Sequence, residues 1–384
     1  MLNTAEGLVR ARAIRYATAA RFAAPEPLTW DGVVDDTRRG PACPQSPSAL
    51  AAVVGNSVEG LSFDEHCQVL SVTAPADADG LPVMVWFHGG AYVTGSGESA
   101  KYDAGLLAAQ GVVVVSVSYR LGIFGYLRDD LGLLDQLAAL RWVRDTIAEF
   151  GGDPANVTAF GQSAGADSVY ALLLTDTEGL FQRAILQSAP LGTRSPDRPA
   201  MTAALREHVS ASVDAGTPVA DVLAAQQRVT AELGPRFTPS GSMPFGPELP
   251  GEPDLTAVAP RVELLVGHTR DDGSPYVANH PEAWAVATEL VFAGPARRLA
   301  ADWAKAGGQA ATYDFRWRPE GAPLGACHCM ELPFLFDPDA WRGAGMLAGQ
   351  EPDPALAAVV RRTWTDFARK GIDALPSREL ELGA

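Results

Sequence analysis

The sequence predicts an α/β protein: a central, mostly parallel twisted sheet flanked by helices. Three observations carry this expectation. Short apolar runs alternate with stretches of helical periodicity. The block Val112-Val113-Val114-Val115 has the unbroken hydrophobicity of a strand buried on both faces. Glycine and proline are spread through many short connections rather than gathered in a repeat. Taken in order, Leu81 to Phe87 reads as a strand, Lys101 to Gln110 as a helix, and Gly111 to Tyr119 as the next strand. Leu131 to Ala148 sets Leu133, Leu134, Leu137, Leu140, Val143 and Ile147 at helical spacing, and Gly151-Gly152 ends it. A strand at Val157 to Phe160 enters a tight turn, and a helix beginning near Ala166 runs through about Leu174. Ala184 to Ser188 and Val262 to Val266 read as two further strands. Such alternation requires right-handed crossovers and places ligands outside the carboxyl ends of the strands. Pro190 to Ala200 and Gly234 to Pro260, rich in proline and glycine with an Ala/Val helical stretch between them, read as an excursion covering one side of that end. The final helix, about Pro354 to Lys370, has Leu356, Val359, Val360, Trp364 and Phe367 on one side and Arg361, Arg362, Arg369 and Lys370 on a solvated face. The last dozen or so residues are expected to form a poorly ordered tail.

Composition narrows the class. With 384 residues, 47% hydrophobic and 20% charged, the chain can bury a large core, expected as one domain over 1–384 with a reduced cover at about 190–260. A net charge of -16 and the lack of a basic patch argue against a nucleic-acid partner. No apolar run approaches the length that spans a bilayer, so no membrane segment is expected. The start, Met1-Leu2-Asn3-Thr4-Ala5-Glu6 followed by Arg10, Arg12 and Arg15, lacks the order of a secretion signal, and the expected location is the cytoplasm. The apolar stripe of the last helix reads as packing rather than a dimer face, which leaves the oligomeric state open.

The turn after Phe160 reads Gly161-Gln162-Ser163-Ala164-Gly165. G-x-S-x-G between a strand and a helix is the pattern of a nucleophile elbow, and the glycines are there because a side chain would crowd the strand or the helix. An activated serine needs a base, an orienting acid and an oxyanion site. Val85-Trp86-Phe87-His88-Gly89-Gly90-Ala91-Tyr92 ends a strand in a glycine pair whose N–H groups suit an oxyanion, with the Ala164 N–H as the second half of the hole. The acid is sought in Leu264 to Gly273, where Asp272 follows a short strand and Asp271 is its rival. Of six histidines, His66 reads as a surface turn, His88 opens the glycine loop, His208 and His280 sit in polar contexts, and His268 precedes the acid loop. His328 lies in the small-residue loop Gly325-Ala326-Cys327-His328-Cys329-Met330-Glu331-Leu332. The order Ser163, Asp272, His328 is that of α/β-hydrolases.

These blocks, with Trp30-Asp31-Gly32-Val33, Gly40-Pro41-Ala42-Cys43-Pro44-Gln45, Tyr119-Arg120-Leu121-Gly122, Leu133-Leu134-Asp135-Gln136, Phe150-Gly151-Gly152-Asp153-Pro154, Gln187-Ser188-Ala189 and Glu331-Leu332-Pro333-Phe334, resemble the type-B carboxylesterase and cholinesterase family in a short, bacterial-looking form. The resemblance implies an α/β-hydrolase fold. It also implies Ser163 as nucleophile, Asp272 as acid, His328 as base, and Gly89, Gly90 and Ala164 as oxyanion donors. An acyl-enzyme would then hydrolyse short- to medium-chain or moderately bulky esters with no cofactor and no metal. Acyl transfer, lactone hydrolysis or cyclisation in the same pocket is the related alternative, and a non-catalytic interaction protein is the alternative outside enzymology. The resemblance further implies a Cys43–Cys67 disulfide, against which a reducing cytoplasm argues. Three departures stand out. Asp272 and Gln162 occupy positions where the family usually has glutamate, and the chain is shorter than is typical, which leads one to expect a shallower, wetter site with broader acceptance. Cys327 and Cys329 bracket His328 too closely to wrap a tetrahedral ion and read as small packing side chains. Tyr92 and Phe124 are candidate pocket aromatics, and Trp142 reads as core.

Overall fold

Residues along the strands bury alternately on two sides, and that is what demands their continuous hydrophobicity. Val83, Val85 and Phe87 enter one apolar cluster, while Met84 and Trp86 enter another across the sheet. Val113, Val115 and Val117 divide from Val112 and Val114 in the same way. The computed structural model describes residues 7–383 apart from 176, 178, 195, 196, 211, 238, 239 and 250–253. The N-terminal segment Met1 to Glu6, and the parts of the 190–260 excursion at 195–196, 238–239 and 250–253, therefore lie outside the described residues.

Nine strands form the main sheet: β1 (Leu8–Arg15), β2 (Val69–Pro75), β3 (Leu81–Phe87), β4 (Val113–Val117), β5 (Gly152–Gln162), β6 (Arg183–Gln187), β7 (Glu263–Thr269), β8 (Ala310–Phe315) and β9 (Glu379–Leu382). Their spatial order is β1-β2-β4-β3-β5-β6-β7-β8-β9. The β1–β2 and β2–β4 pairs are antiparallel and every later pair is parallel. This is a mostly parallel sheet flanked by helices, the α/β-hydrolase architecture. Helix α1 (Leu131–Thr146) packs Leu140 and Val143 on one face, while the last helix, Pro354–Lys370, packs Val360, Trp364 and Phe367 on the other. Arg120, after β4, pairs with Asp135 of α1 at 2.8 Å, both side chains buried, and so ties the loop beyond β4 to that helix. Registers of Phe87 with Gly161, Gln162 with Gln187, and Gln187 with Gly267 align four carboxyl ends in a row.

Several expectations need correction. Lys101 to Gln110 is not one helix but a 3-10 turn, Ala100–Tyr102, and a short helix, Gly105–Ala108. Asp103 divides them: its carboxylate accepts the Gly105 N–H at 3.1 Å and meets Arg10, Arg12 and Arg39. The helical stretch inside the excursion is two helices, Arg198–Ser210 and Val219–Leu233, which pack Met201, Leu205, Val222 and Val229 into a third apolar cluster. Strands β1, β2 and β8 were not foreseen, because Arg10, Arg12 and Arg15 broke the apolar reading of β1, whose charged side chains instead reach outward partners. Val359 of the last helix is 49% exposed rather than packed with its neighbours.

The largest correction is at the C-terminus. The expected tail is strand β9, parallel to β8 in the register Thr312 with Glu379 through Phe315 with Leu382, and it buries Leu380 and Leu382. Alternation of two leucines with two glutamates over four residues is a strand signal too short to stand out from a polar tail. Removing residues 379–384 should cost up to about 3–5 kcal/mol, from two leucine side chains at roughly 1.5–3 kcal/mol each. In thermal unfolding this should lower the melting temperature by about 5 °C. An unchanged melting temperature would mean that β9 contributes nothing to stability.

Candidate active site

Strand β5 ends at Gln162, and Ser163 turns back with φ 56° and ψ -125° before helix α2 (Ala164–Leu173) begins. A non-glycine residue holds this left-handed conformation only where its surroundings enforce it. The Ser163 N–H donates to the Gln187 carbonyl on β6 at 2.8 Å, and the Ser163 carbonyl accepts from the Asp167 N–H at 2.9 Å. Space is the second condition. A Cβ on Gly165 would lie 1.9 Å from the Phe87 carbonyl oxygen, and one on Gly161 would lie 2.5 Å from the Gly165 carbonyl carbon. Strand, turn and helix thus meet backbone to backbone.

The glycine loop after β3 closes over this turn. A Cβ on Gly89 would stand 3.1 Å from the Ser163 Cβ, and Gly90, at φ 116°, would put one 2.1 Å from the Thr94 carbonyl oxygen. His88 braces the loop: its Nδ1–H donates to the Gly89 carbonyl at 2.8 Å and its ring stacks on Tyr119 at 4.5 Å. Burial lowers the His88 pKa to about 4, so the imidazole is neutral at ordinary pH. Among the described residues, the N–H groups of Gly89, Gly90 and Ala164 donate no hydrogen bond within the protein.

Asp272 and His328 come together under β7 and β8. His328 Nδ1 lies 2.5 Å from Asp272 Oδ1, and Asp272 Oδ2 accepts the Thr269 N–H at 3.1 Å. Both side chains are buried. A carboxylate only accepts, so the proton sits on Nδ1 and the Nε2 lone pair is free to accept. That lone pair meets the Gln162 amide nitrogen at 3.1 Å. Among the described residues no direct hydrogen bond joins Ser163 to His328. They are linked by neighbours: Gln162 precedes the serine, and the Tyr276 ring meets the His328 ring edge-on at 5.6 Å. Asp271, the rival acid, does different work. Its Oδ2 accepts the Ala326 N–H at 2.9 Å and its backbone bridges to Cys327, so it holds the histidine loop while the imidazole goes to Asp272.

Three residues at the site escaped the sequence reading. Phe292 packs its ring 5.1 Å from that of His328, beside Tyr276, which is 53% exposed. These are the aromatics of the site, whereas Tyr92 and Phe124 are buried, with the Tyr92 hydroxyl donating to Asp167 at 2.7 Å. No motif marked Tyr276 or Phe292; only the long-range docking of their segment on the histidine loop does. Glu331, three residues past His328, is fully buried with Oε1 accepting from Gln187 at 3.1 Å and Oε2 unpartnered. Burial, with the nearby Asp272 charge, pushes its pKa up to about 7. Trp142 is core, as expected.

The cysteines are all buried thiols. Cys43 and Cys67 stand side by side without a bond between them, and the Leu121 N–H donates to the Cys43 sulfur at 3.3 Å. Burial pushes Cys327 up to about 12, which keeps it an inert thiol beside His328. Among the described residues no group of three His, Cys, Asp or Glu side chains is placed to hold a metal, and no helix is long and apolar enough to cross a membrane. Ser163 itself is 8% exposed.

Known proteins resemble this chain over most of its length. The carboxylesterase family matches over residues 11–283. The chain is 39% identical to "Probable N-octanoylanthranilate hydrolase AqdA2" of Rhodococcus erythropolis, covering 93% of this chain and 88% of that one. It is 33% identical to "Para-nitrobenzyl esterase" of Bacillus subtilis (strain 168), covering 96% and 88%. Among solved structures, a thermophilic PNB esterase superposes with a TM-score of 0.83 at 33% identity over 96% of this chain and 89% of its own. The carboxylesterase EST55 of Geobacillus stearothermophilus does so with a TM-score of 0.79 at 30% identity, over 98% and 90%. Agreement in sequence and backbone over nearly the whole length leaves one conclusion: this chain belongs to the carboxylesterase family of ester hydrolases.

Proposed function

We propose that the chain hydrolyses carboxylic esters through a Ser163–His328–Asp272 triad and an acyl-enzyme. The observation that carries this reading is the left-handed Ser163, set against the Gly89-Gly90 loop and one residue from a side chain that touches His328 Nε2. As an ester carbonyl enters, His328 Nε2 leaves the Gln162 amide and takes the Ser163 hydroxyl proton while Oγ bonds to the carbonyl carbon. The oxyanion is received by the N–H groups of Gly89, Gly90 and Ala164. Collapse breaks the ester bond, and His328 returns the proton to the departing alcohol. Water then repeats the sequence on the acyl-enzyme and releases the acid. Asp272 keeps the Nδ1–H tautomer and balances the imidazolium charge that forms.

The relatives named for N-octanoylanthranilate and para-nitrobenzyl esters support aryl-bearing acyl compounds of short to medium chain as the substrate class. Tyr276 and Phe292 beside His328 offer such a group an apolar wall. Gln162 has a role of its own in this reading. Its amide nitrogen donates to neutral His328 Nε2 and releases it as the imidazole turns to the serine, so it holds the base without adding a charge.

Turnover of p-nitrophenyl butyrate by Ser163→Ala should fall by about 10⁴ or more with the circular dichroism spectrum retained. Turnover insensitive to the substitution would sink the serine mechanism. Gln162→Glu sets a carboxylate against Nε2 and favours imidazolium, so the acid limb of the kcat/KM profile should move to higher pH by about one unit. A superimposable profile would show that Gln162 does not touch the working histidine. The raised Glu331 pKa bears on stability. Its folded value of about 7 exceeds the reference 4.5, so its contribution is full below that reference and is lost as pH rises through about 7. Glu331→Gln should therefore gain on the wild type by about 2.5 kcal/mol between pH 5 and 8 in urea unfolding, where equal pH slopes would refute the assignment.

A further inference from the structure

Arg198, the first residue of helix Arg198–Ser210, is 6% exposed, yet among the described residues its Nε and Nη1 make no hydrogen bond. Arginine does not shed its proton in proteins, so this is a buried charge with unmet donors, an arrangement that costs several kcal/mol in general. Its place in the helix adds to the cost, because a cation there faces the positive end of the helix dipole.

The acids within electrostatic reach are committed elsewhere. Asp167 receives Arg194 Nε at 2.6 Å and Nη2 at 2.7 Å, and the Tyr92 hydroxyl at 2.7 Å. Asp130 accepts the Glu248 N–H at 3.0 Å. Both Asp167 and Asp130 act on Arg198 only through space, and Arg194 adds a like charge beside it.

The location ties this guanidinium to the catalytic end. Asp167 lies one helical turn beyond Ser163 and is hydrogen-bonded to its carbonyl. The segment carrying Arg194 and Arg198 leaves the sheet at the carboxyl end of β6, whose Gln187 holds the Ser163 N–H. Its first turn, at Gly192, lies against Leu290 and Val291, adjacent in sequence to the Phe292 that packs on His328.

We propose that Arg198 receives a carboxylate borne by the substrate, so that this enzyme selects anionic acyl compounds over their neutral counterparts. The proposal rests on the ester-hydrolase reading above. A neutral polar group could meet the donors but would leave the charge uncompensated, whereas a carboxylate does both.

The test is a matched pair: 4-butyryloxybenzoate and 4-butyryloxybenzamide, which differ in the charge and share a single ester bond. Wild type should favour the anion in kcat/KM. Arg198→Gln, checked for folding by circular dichroism, should lower that preference by about tenfold or more, mainly through KM for the anion. Arg198→Lys, which keeps the charge, should retain part of it. No preference in the wild type, or an equal loss on both esters in Arg198→Gln, would overturn the subsite while leaving the esterase intact. If neither ester is turned over, the esterase reading fails separately. Calorimetry of 4-butyryloxybenzoate binding to Ser163→Ala and Ser163→Ala/Arg198→Gln then decides the subsite: loss of binding in the double variant supports it, and equal binding or none in both overturns it.

Discussion

The geometry of the site depends on one backbone constraint: Ser163 is held at φ 56° between a strand and a helix that approach each other without side chains in between. The Phe87 carbonyl, Gly161, Gly165 and Gly89 occupy the same small volume, and any Cβ among those glycines would collide with main-chain atoms that cannot yield. The strain in Ser163 is offset by hydrogen bonds at both of its backbone groups. Strands β3, β5 and β6 in parallel register supply those partners, so the sheet is the device that makes the turn possible.

From that turn the charges are arranged by burial. His88 is buried and neutral and acts as a brace, whereas His328 is buried but bonded to a carboxylate that dictates its tautomer. Two neighbouring aspartates separate by a similar logic: Asp271 satisfies backbone in the histidine loop, and Asp272 reaches the ring. The shorter arm of Asp272, relative to the glutamate usual in the family, is accommodated because the loop from β7 brings the carboxylate to 2.5 Å from Nδ1. Gln162 and Glu331 complete the picture as uncharged or readily neutralised groups around the pair, which lowers the number of anions competing for one imidazole.

Much of this was legible beforehand. Strand β3 spans the stretch read for it, and Pro354–Lys370 is the helix that its apolar stripe describes. The elbow and the glycine loop stand out because each is a local pattern with fixed spacing, whereas the acid is narrowed only to Asp272 with Asp271 as its rival and His328 is picked from six histidines by its loop and its place in the order. Short strands at the sheet edges were missed for the opposite reason. Strand β1 alternates arginine with apolar residues and β9 has only four residues, so neither carries enough periodicity to be told from a loop.

The sequence by itself determined the fold class and the G-x-S-x-G turn, since these follow from patterns over a few consecutive residues. Only the tertiary structure decided which aspartate meets His328, that Gln162 holds its Nε2, that Tyr276 and Phe292 flank its ring, and that Arg198 is buried with two donors unmet among the described residues. Each of these joins segments tens to more than a hundred residues apart, or depends on which nearby acids are already engaged. Such facts are set by how the chain packs, and local composition carries no trace of them.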